Sequence, residues 1–373
     1  MHPQRAALAK ENTRQTVLLK SGFYLILITY LTLVIRLNLV AKVKELSLLK
    51  NTDWWSVGLF TLFILLPLLP LKLFFDWSLL YYIPKKFGLI KYNLFHFLKK
   101  SAQSLLIIYL SLTLYSYLYY YTISLKLPGF LPASLSILIT PIIIAVAIFG
   151  LIFICSPLIP KFLKLKLLEE SVSKRFNKLL NKYQFKSSQL ATLKDSDKAN
   201  TMSAFFTGFG PYKTIVFSEN LLKKATQEEL EAVAMHEVGH YRYGHFLKGL
   251  TLFASLVFFY TYIGISLLKR FGPSLNSGAL PDLANFPVLF LFLLIINLAG
   301  WPLYLSIKRE WEYNVDRFAL KVTNNPRSFI SIMEKFMENN LKDPNPHYLI
   351  KVLFFTHPPI TDRINLAKKF RKR

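Results

Sequence analysis

Six long apolar runs alternate with polar stretches along the chain, at residues 22–40, 54–75, 104–124, 135–158, 247–268 and 286–307. A helix crossing a bilayer needs about 20 mostly apolar residues, so each run predicts a transmembrane helix. The second run is the most clearly bounded, with Trp54 and Trp55 at one end and Trp77, Tyr81 and Tyr82 at the other. Amphipathic aromatic rings collect at both membrane–water interfaces, and this spacing fits them there. Pro67, Pro70, Pro141 and Pro302 fall inside or beside the runs and predict kinks. Neighbouring helices can satisfy the carbonyls that a proline frees.

Two stretches, 159–246 and 308–373, are polar enough to lie outside the membrane and long enough to fold. The first reads as a helix over 168–183, then extended chain that includes 203–210 and 214–217, then a second helix. The other reads as mainly helical. Each is small alone, so the two are expected to pack together at the ends of the membrane helices. The expected organisation is a membrane domain at 1–158, a first extramembrane part at 159–246, two membrane helices at 247–307 and a second extramembrane part at 308–373.

Composition supports this reading. The 373 residues are 53% hydrophobic and 15% aromatic, yet carry a formal charge of +25. The two facts agree if apolar runs lie in lipid and basic residues crowd the loops. Nucleic-acid binding is not expected, because no basic segment forms a recognisable binding module. Lys85, Lys86, Lys91, Lys99 and Lys100 lie between the second and third runs, and Arg5, Lys10, Arg14 and Lys20 precede the first. The connection after the third run has Lys126, and that after the fifth has Lys269 and Arg270 offset by Asp282. The positive-inside rule therefore places both termini and 159–246 in the cytoplasm, although Lys42, Lys44 and Lys50 in 41–53 run against it. The first run carries Arg36 and has no obvious small-residue cleavage site, so it reads as a retained helix and not a signal peptide. Cys155 is the only cysteine, which excludes an intrachain disulfide and a cysteine-based zinc site.

Candidate chemistry centres on His236-Glu237-Val238-Gly239-His240, an H-E-x-x-H sequence. On a helix, residues four apart share a face, so His236 and His240 can reach one zinc ion while Glu237 holds a water. Thr226-Gln227-Glu228-Glu229 has the form of a capping box that would start this helix. A zinc hydrolase needs a third protein ligand and an open position. Glu312 and Asp316, also four apart, offer a metal-binding carboxylate and a carboxylate that orients an imidazole. Glu310 competes with Glu312 for the ligand role.

The blocks HEVGHYRYGH (236–245) and KREWEYNVDRFAL (308–320) resemble the type I integral membrane CAAX prenyl protease family, which shares its zincin core with the HtpX heat-shock membrane proteases. FGLIKYNLF (87–95), SPLIPKFLKL (156–165), SAFFTGFGPYKTIVFSENLL (203–222) and FTHPPITDRI (355–364) are similar to further family motifs, in the same order. The resemblance implies a mainly α, multi-pass membrane protein with a cytoplasmic zincin-like domain containing a small β-sheet. It implies one Zn2+ per chain held by His236, His240 and Glu312, with Glu237 as general base and Asp316 orienting a ligand. His357 and Arg363 match residues lining the active site, where they would hold a substrate carbonyl or oxyanion. His245 matches a family position, but it is read as structural because it lies five residues beyond His240. His2, His96 and His347 receive no role.

The implied partners are the lipid bilayer and a peptide or protein substrate, lipidated or not, with strand 203–209 pairing with it. The implied location is the cytoplasmic membrane of a bacterium or the endoplasmic reticulum of a eukaryote, with the site facing the cytoplasm. A quality-control protease like HtpX, or a non-catalytic sensor or scaffold, is the alternative. The chain departs from the family in having six expected helices where seven are usual, Ser203 in place of an Asn, and Lys308 in place of a small Ser.

Overall fold

The structure is a computed structural model describing residues 2–44, 54–124, 135–156, 165–168, 173–174, 176–177, 180–181, 189–193, 199–207, 213–275 and 282–370. Most of the helix expected at 168–183 lies outside these residues, as do the connections at 45–53 and 125–134 and most of block 156–165.

Among the described residues, six helices are long and apolar enough to cross a membrane. They are α1 (Pro3–Arg36), α3 (Trp54–Lys86), α4 (Leu94–Ile123), α5 (Leu135–Cys155), α8 (His245–Phe271) and α9 (Phe286–Thr323). A short α2 (Leu39–Lys44) follows the first. Their packed faces bring Phe60, Tyr119, Ile144, Ile265 and Leu289 into one buried cluster. Their other faces leave Ile107, Val146, Ile154 and Leu303 exposed, which in water would be a large unfavourable apolar surface and in lipid is not.

The expected prolines act in different ways. Pro67 sits in a 3-10 turn (Leu66–Leu68) within α3, and the same helix widens to a π turn at Trp77–Tyr82. Pro141 and Pro302 lie inside α5 and α9. Helix α1 begins well before its apolar run and spans 34 residues. At about 1.5 Å per residue it outreaches the membrane. Its N-terminal turns meet the extramembrane part, where Arg5 Nε donates to the Glu338 carbonyl at 3.1 Å.

Outside the membrane segments lie β1 (Lys166–Leu167), β2 (Gln189–Leu193), β3 (Ala204–Thr207) and β4 (Thr214–Ser218). They are joined by α6 (Glu219–Lys224), α7 (Gln227–Arg242), α10 (Pro326–Asn339), α11 (Tyr348–Phe354) and α12 (Ile360–Lys368). The sheet order is β1-β2-β4-β3. β4 runs parallel to β2 and antiparallel to β3, with Phe205 opposite Val216. Strand β3 therefore forms an edge. Strands β1 and β2 are additional to the extended regions expected from sequence. They are short and carry no alternating apolar pattern, so their pairing depends on β4.

Ile215, Phe217, Met235, Leu320, Phe329 and Ile332 form the core of this part, drawing on the sheet, α7, α9 and α10. Both bonds of the capping box at Thr226 and Glu229 are made. The Glu229 carboxylate also accepts from Ser331 Oγ at 2.6 Å and Lys335 Nζ at 2.7 Å, tying α7 to α10. Close packing between α7 and α9 depends on Gly239, where an added Cβ would lie 3.0 Å from Val315 Cβ and 3.1 Å from the Phe318 ring. Neither neighbour is a flexible side-chain end, so Gly239→Ala is expected to destabilise the fold by about 1–3 kcal/mol. Thermal unfolding in detergent measures this, and an unchanged midpoint would contradict the packing argument.

Candidate metal centre

Helix α7 carries His236 and His240 on one face, and α9 brings Glu312 opposite them. One ligand atom from each of the three lies within 4.8 Å of the others. The His236 and His240 Nε2 atoms are 3.3 Å apart. Glu312 Oε2 is 3.4 Å from His236 Nε2, and Oε1 is 3.5 Å from His240 Nε2. Two imidazole nitrogens and a carboxylate converging in this way form a poor hydrogen-bond set and a good cation site. The buried Glu312 Oε2 has no hydrogen-bond partner among the described residues, which is costly unless a cation satisfies it. The donors therefore fit a tetrahedral ion with one position left open. Glu310, the alternative carboxylate, instead pairs with Arg317 at 3.3 Å on the exposed side of the helix.

The two helices that carry these side chains also lead into the membrane helices. Glu312 follows the apolar run of 286–307 on the same unbroken helix α9. Helix α7 ends at Arg242, and Gly244 turns the chain with φ +65 before α8 begins at His245. A residue with a Cβ would be strained in that left-handed conformation. These connections hold the site at the end of the helical bundle.

His236 and His240 are each oriented from behind. Asp316 is fully buried and accepts His236 Nδ1 at 2.9 Å. Arg363 donates to both Asp316 oxygens, Nε at 2.7 Å and Nη2 at 2.6 Å. A carboxylate behind a ligand imidazole fixes its tautomer and ring plane. The turn at Gly244 brings His245 back beneath His240, with the two Nδ1 atoms 2.9 Å apart. His245 stacks on Trp311, with ring centroids 4.9 Å apart and planes 12° from parallel. Counting five positions along one continuous helix missed this contact. Gly244 is the signal in the sequence that the helix does not continue.

Glu237 is buried beside the cluster. Burial pushes its carboxyl up to about 7, against the lowering effects of His236 and of an N–H bond from the Phe206 backbone. His240 is held neutral, lowered to about 3 by burial and then by His236. At His236 burial acts to lower the pKa, but the hydrogen bond to Asp316 and the neighbouring Glu312 carboxylate outweigh it and raise it. A cation entering the site must displace that proton. His357 Nε2 lies 3.5 Å from Glu312 Oε1 on the open side, with its Nδ1 2.9 Å from Thr356 Oγ1. Arg309 donates to the Lys351 and Phe355 carbonyls at 3.1 and 2.9 Å and so anchors the segment carrying His357. The structure thus gathers all seven residues singled out from sequence, with Asp316 and Arg363 behind His236 and His357 at the opening.

The chain is 30% identical over 180 residues to a Bacillus subtilis protein described as the uncharacterized metalloprotease YhfN, covering 47% of this chain and 42% of that protein. It is 32% identical over 185 residues to a protease HtpX homolog of Streptococcus agalactiae, covering 44% of this chain and 62% of the relative. The match thus spans less than two thirds of either relative. In fold it is similar to S. mikatae Ste24p, with a TM-score of 0.75 at 18% identity over 98% of this chain and 89% of that one. The model of peptidase family M48 matches residues 166–371, more than half of the chain. With six helices long and apolar enough to cross a membrane and a His-His-Glu cluster at their end among the described residues, the chain belongs to peptidase family M48.

Proposed function

We propose that this protein is a zinc endopeptidase that binds one ion per chain through His236, His240 and Glu312. Its substrates are peptide segments of membrane-associated proteins, including C-terminally lipidated ones. The observation that carries this reading is the convergence of those three side chains beside a buried Glu237. When bound, the zinc supplies Lewis acidity toward the scissile carbonyl and the attacking water. Glu237 takes the water proton at its carboxylate and delivers it to the leaving amine nitrogen. If Thr356 donates its hydroxyl proton to His357 Nδ1, His357 Nε2–H is left facing the opening. There it donates to the carbonyl oxygen as that oxygen gains charge. Arg363 holds Asp316, and through it His236. The distribution of basic residues among the loops supports a cytoplasmic position for this centre.

The CAAX reading draws on the Ste24p-like fold, which extends through the membrane helices. The quality-control reading draws on the HtpX homologs, whose identity is limited to about half of the chain. Purified protein should contain one zinc and cleave an unstructured reporter peptide until a chelator is added. A matched lipidated peptide cleaved with much higher kcat/KM favours the first reading, and equal rates favour the second. Zinc binding with cleavage of neither peptide would overturn the enzyme assignment in favour of a sensor or scaffold.

The raised pKa of Glu237 predicts the shape of the pH profile. A general base works only when ionised, so activity rises with pH through its pKa. A nearby cation favours the carboxylate, which moves the midpoint below the metal-free position near 7. An acid limb in kcat/KM is expected between the ordinary carboxylate value of 4.5 and 7. A profile flat across that interval would contradict the assignment of Glu237.

A further inference from the structure

The outer edge of β3 is closed toward its N-terminal end by side-chain and loop groups that imitate a neighbouring strand. In a strand, successive residues direct their N–H and C=O groups to opposite sides. Ser203 faces β4, since its carbonyl accepts Ser218 N at 2.8 Å. Asn200, Met202, Ala204 and Phe206 therefore face outward. The backbone of Phe206 lies beside Glu237, so this edge borders the metal centre. Ala204 has no partner among the described residues for its outward groups.

Met202 is different. Its N–H donates to Asn340 Oδ1 at 2.7 Å, and its carbonyl accepts Asn340 Nδ2 at 2.8 Å. The carboxamide thus makes the two bonds that a paired strand residue would make. One step further, Asn200 N donates to the Leu89 carbonyl at 2.9 Å and Asn200 Nδ2 to the Gly88 carbonyl at 2.7 Å. Ile90 forms an antiparallel bridge with Ala199. The loop between α3 and α4 therefore continues the closure that Asn340 begins.

We propose that Asn340, backed by residues 88–90, is a specificity-determining stop that limits how far a peptide substrate can pair along β3. This rests on the peptidase reading above. A substrate in extended form can use the outward carbonyl of Phe206 and both outward groups of Ala204, but at Met202 the pairing position is already filled. At about 3.3 Å per residue, the track from Phe206 holds roughly three substrate residues before the stop. Longer segments on that side of the scissile bond must turn away from the strand. The side running past Phe206 has no such limit among the described residues.

The test uses a series of fluorogenic peptides with one fixed cleavage site, lengthened residue by residue on either side. Wild-type kcat/KM is expected to fall about tenfold, the worth of one or two hydrogen bonds, once one side exceeds about three residues. Lengthening the other side should have little effect. Asn340→Gly should restore cleavage of the long members while leaving short members and zinc content near wild type. Equal wild-type rates across both series would overturn the stop while leaving the peptidase reading intact. The same holds if Asn340→Gly slows every length alike. If zinc-loaded wild type cleaves no member, the peptidase reading itself fails and the stop with it. The wild-type series decides the question even if the glycine variant fails to fold.

Discussion

Glu237→Gln should remove turnover and leave the metal in place. The two side chains have nearly the same volume, so the α7 packing around position 237 is preserved. Glutamine cannot accept a proton from water, and general base catalysis typically contributes 10²–10⁴-fold. A loss of about 10³-fold in kcat is therefore expected, with zinc content equal to that of wild type. Glu237 is not one of the three side chains whose ligand atoms converge, which is why the two readouts separate. Residual cleavage within tenfold of wild type would place the base elsewhere. Loss of zinc would mean that Glu237 is a ligand, which the positions of His236, His240 and Glu312 oppose.

Asp316→Ala should be the most disruptive substitution around the site for stability. The carboxylate is fully buried and accepts from both Arg363 and His236. Its removal strands the Arg363 guanidinium, itself buried, without a counter-charge. Breaking one half of a buried ion pair typically costs about 3–5 kcal/mol. It also frees the His236 ring, and losing such a support usually lowers metal affinity by about 10–100-fold. Denaturation in detergent reads the first effect and competition with a chelator reads the second. A variant that keeps wild-type zinc affinity would show that His236 is oriented by other contacts. The double substitution Asp316→Ala with Arg363→Met should recover part of the stability but not the affinity, because only the stranded charge is relieved.

Much of the architecture follows from local pattern. Six apolar runs of bilayer length became six long helices because each satisfies its own backbone hydrogen bonds. Thr226 and Glu229 mark the start of α7 in sequence as they do in the structure. His236 and His240 share a face because they are four apart on one helix. The extended segments that form β3 and β4 carry enough Phe, Ile and Val to be recognised. By contrast β1 and β2 are short, and β1 is exposed at both of its residues. Their pairing is non-local and leaves little trace in composition.

The sequence by itself determined the membrane class, the H-E-x-x-H helix and the residue types able to hold a metal, because these depend on hydrophobic length and helical spacing. It left Glu310 and Glu312 as rivals. Packing turns Glu312 inward to the imidazoles and Glu310 outward to Arg317. Tertiary structure alone also placed His245 beneath His240, Asp316 and Arg363 behind His236, and Asn340 against Met202. These contacts join residues far apart in the chain or across a helix break at Gly244. No local periodicity encodes them, since they arise only when the helices and the sheet close around one core.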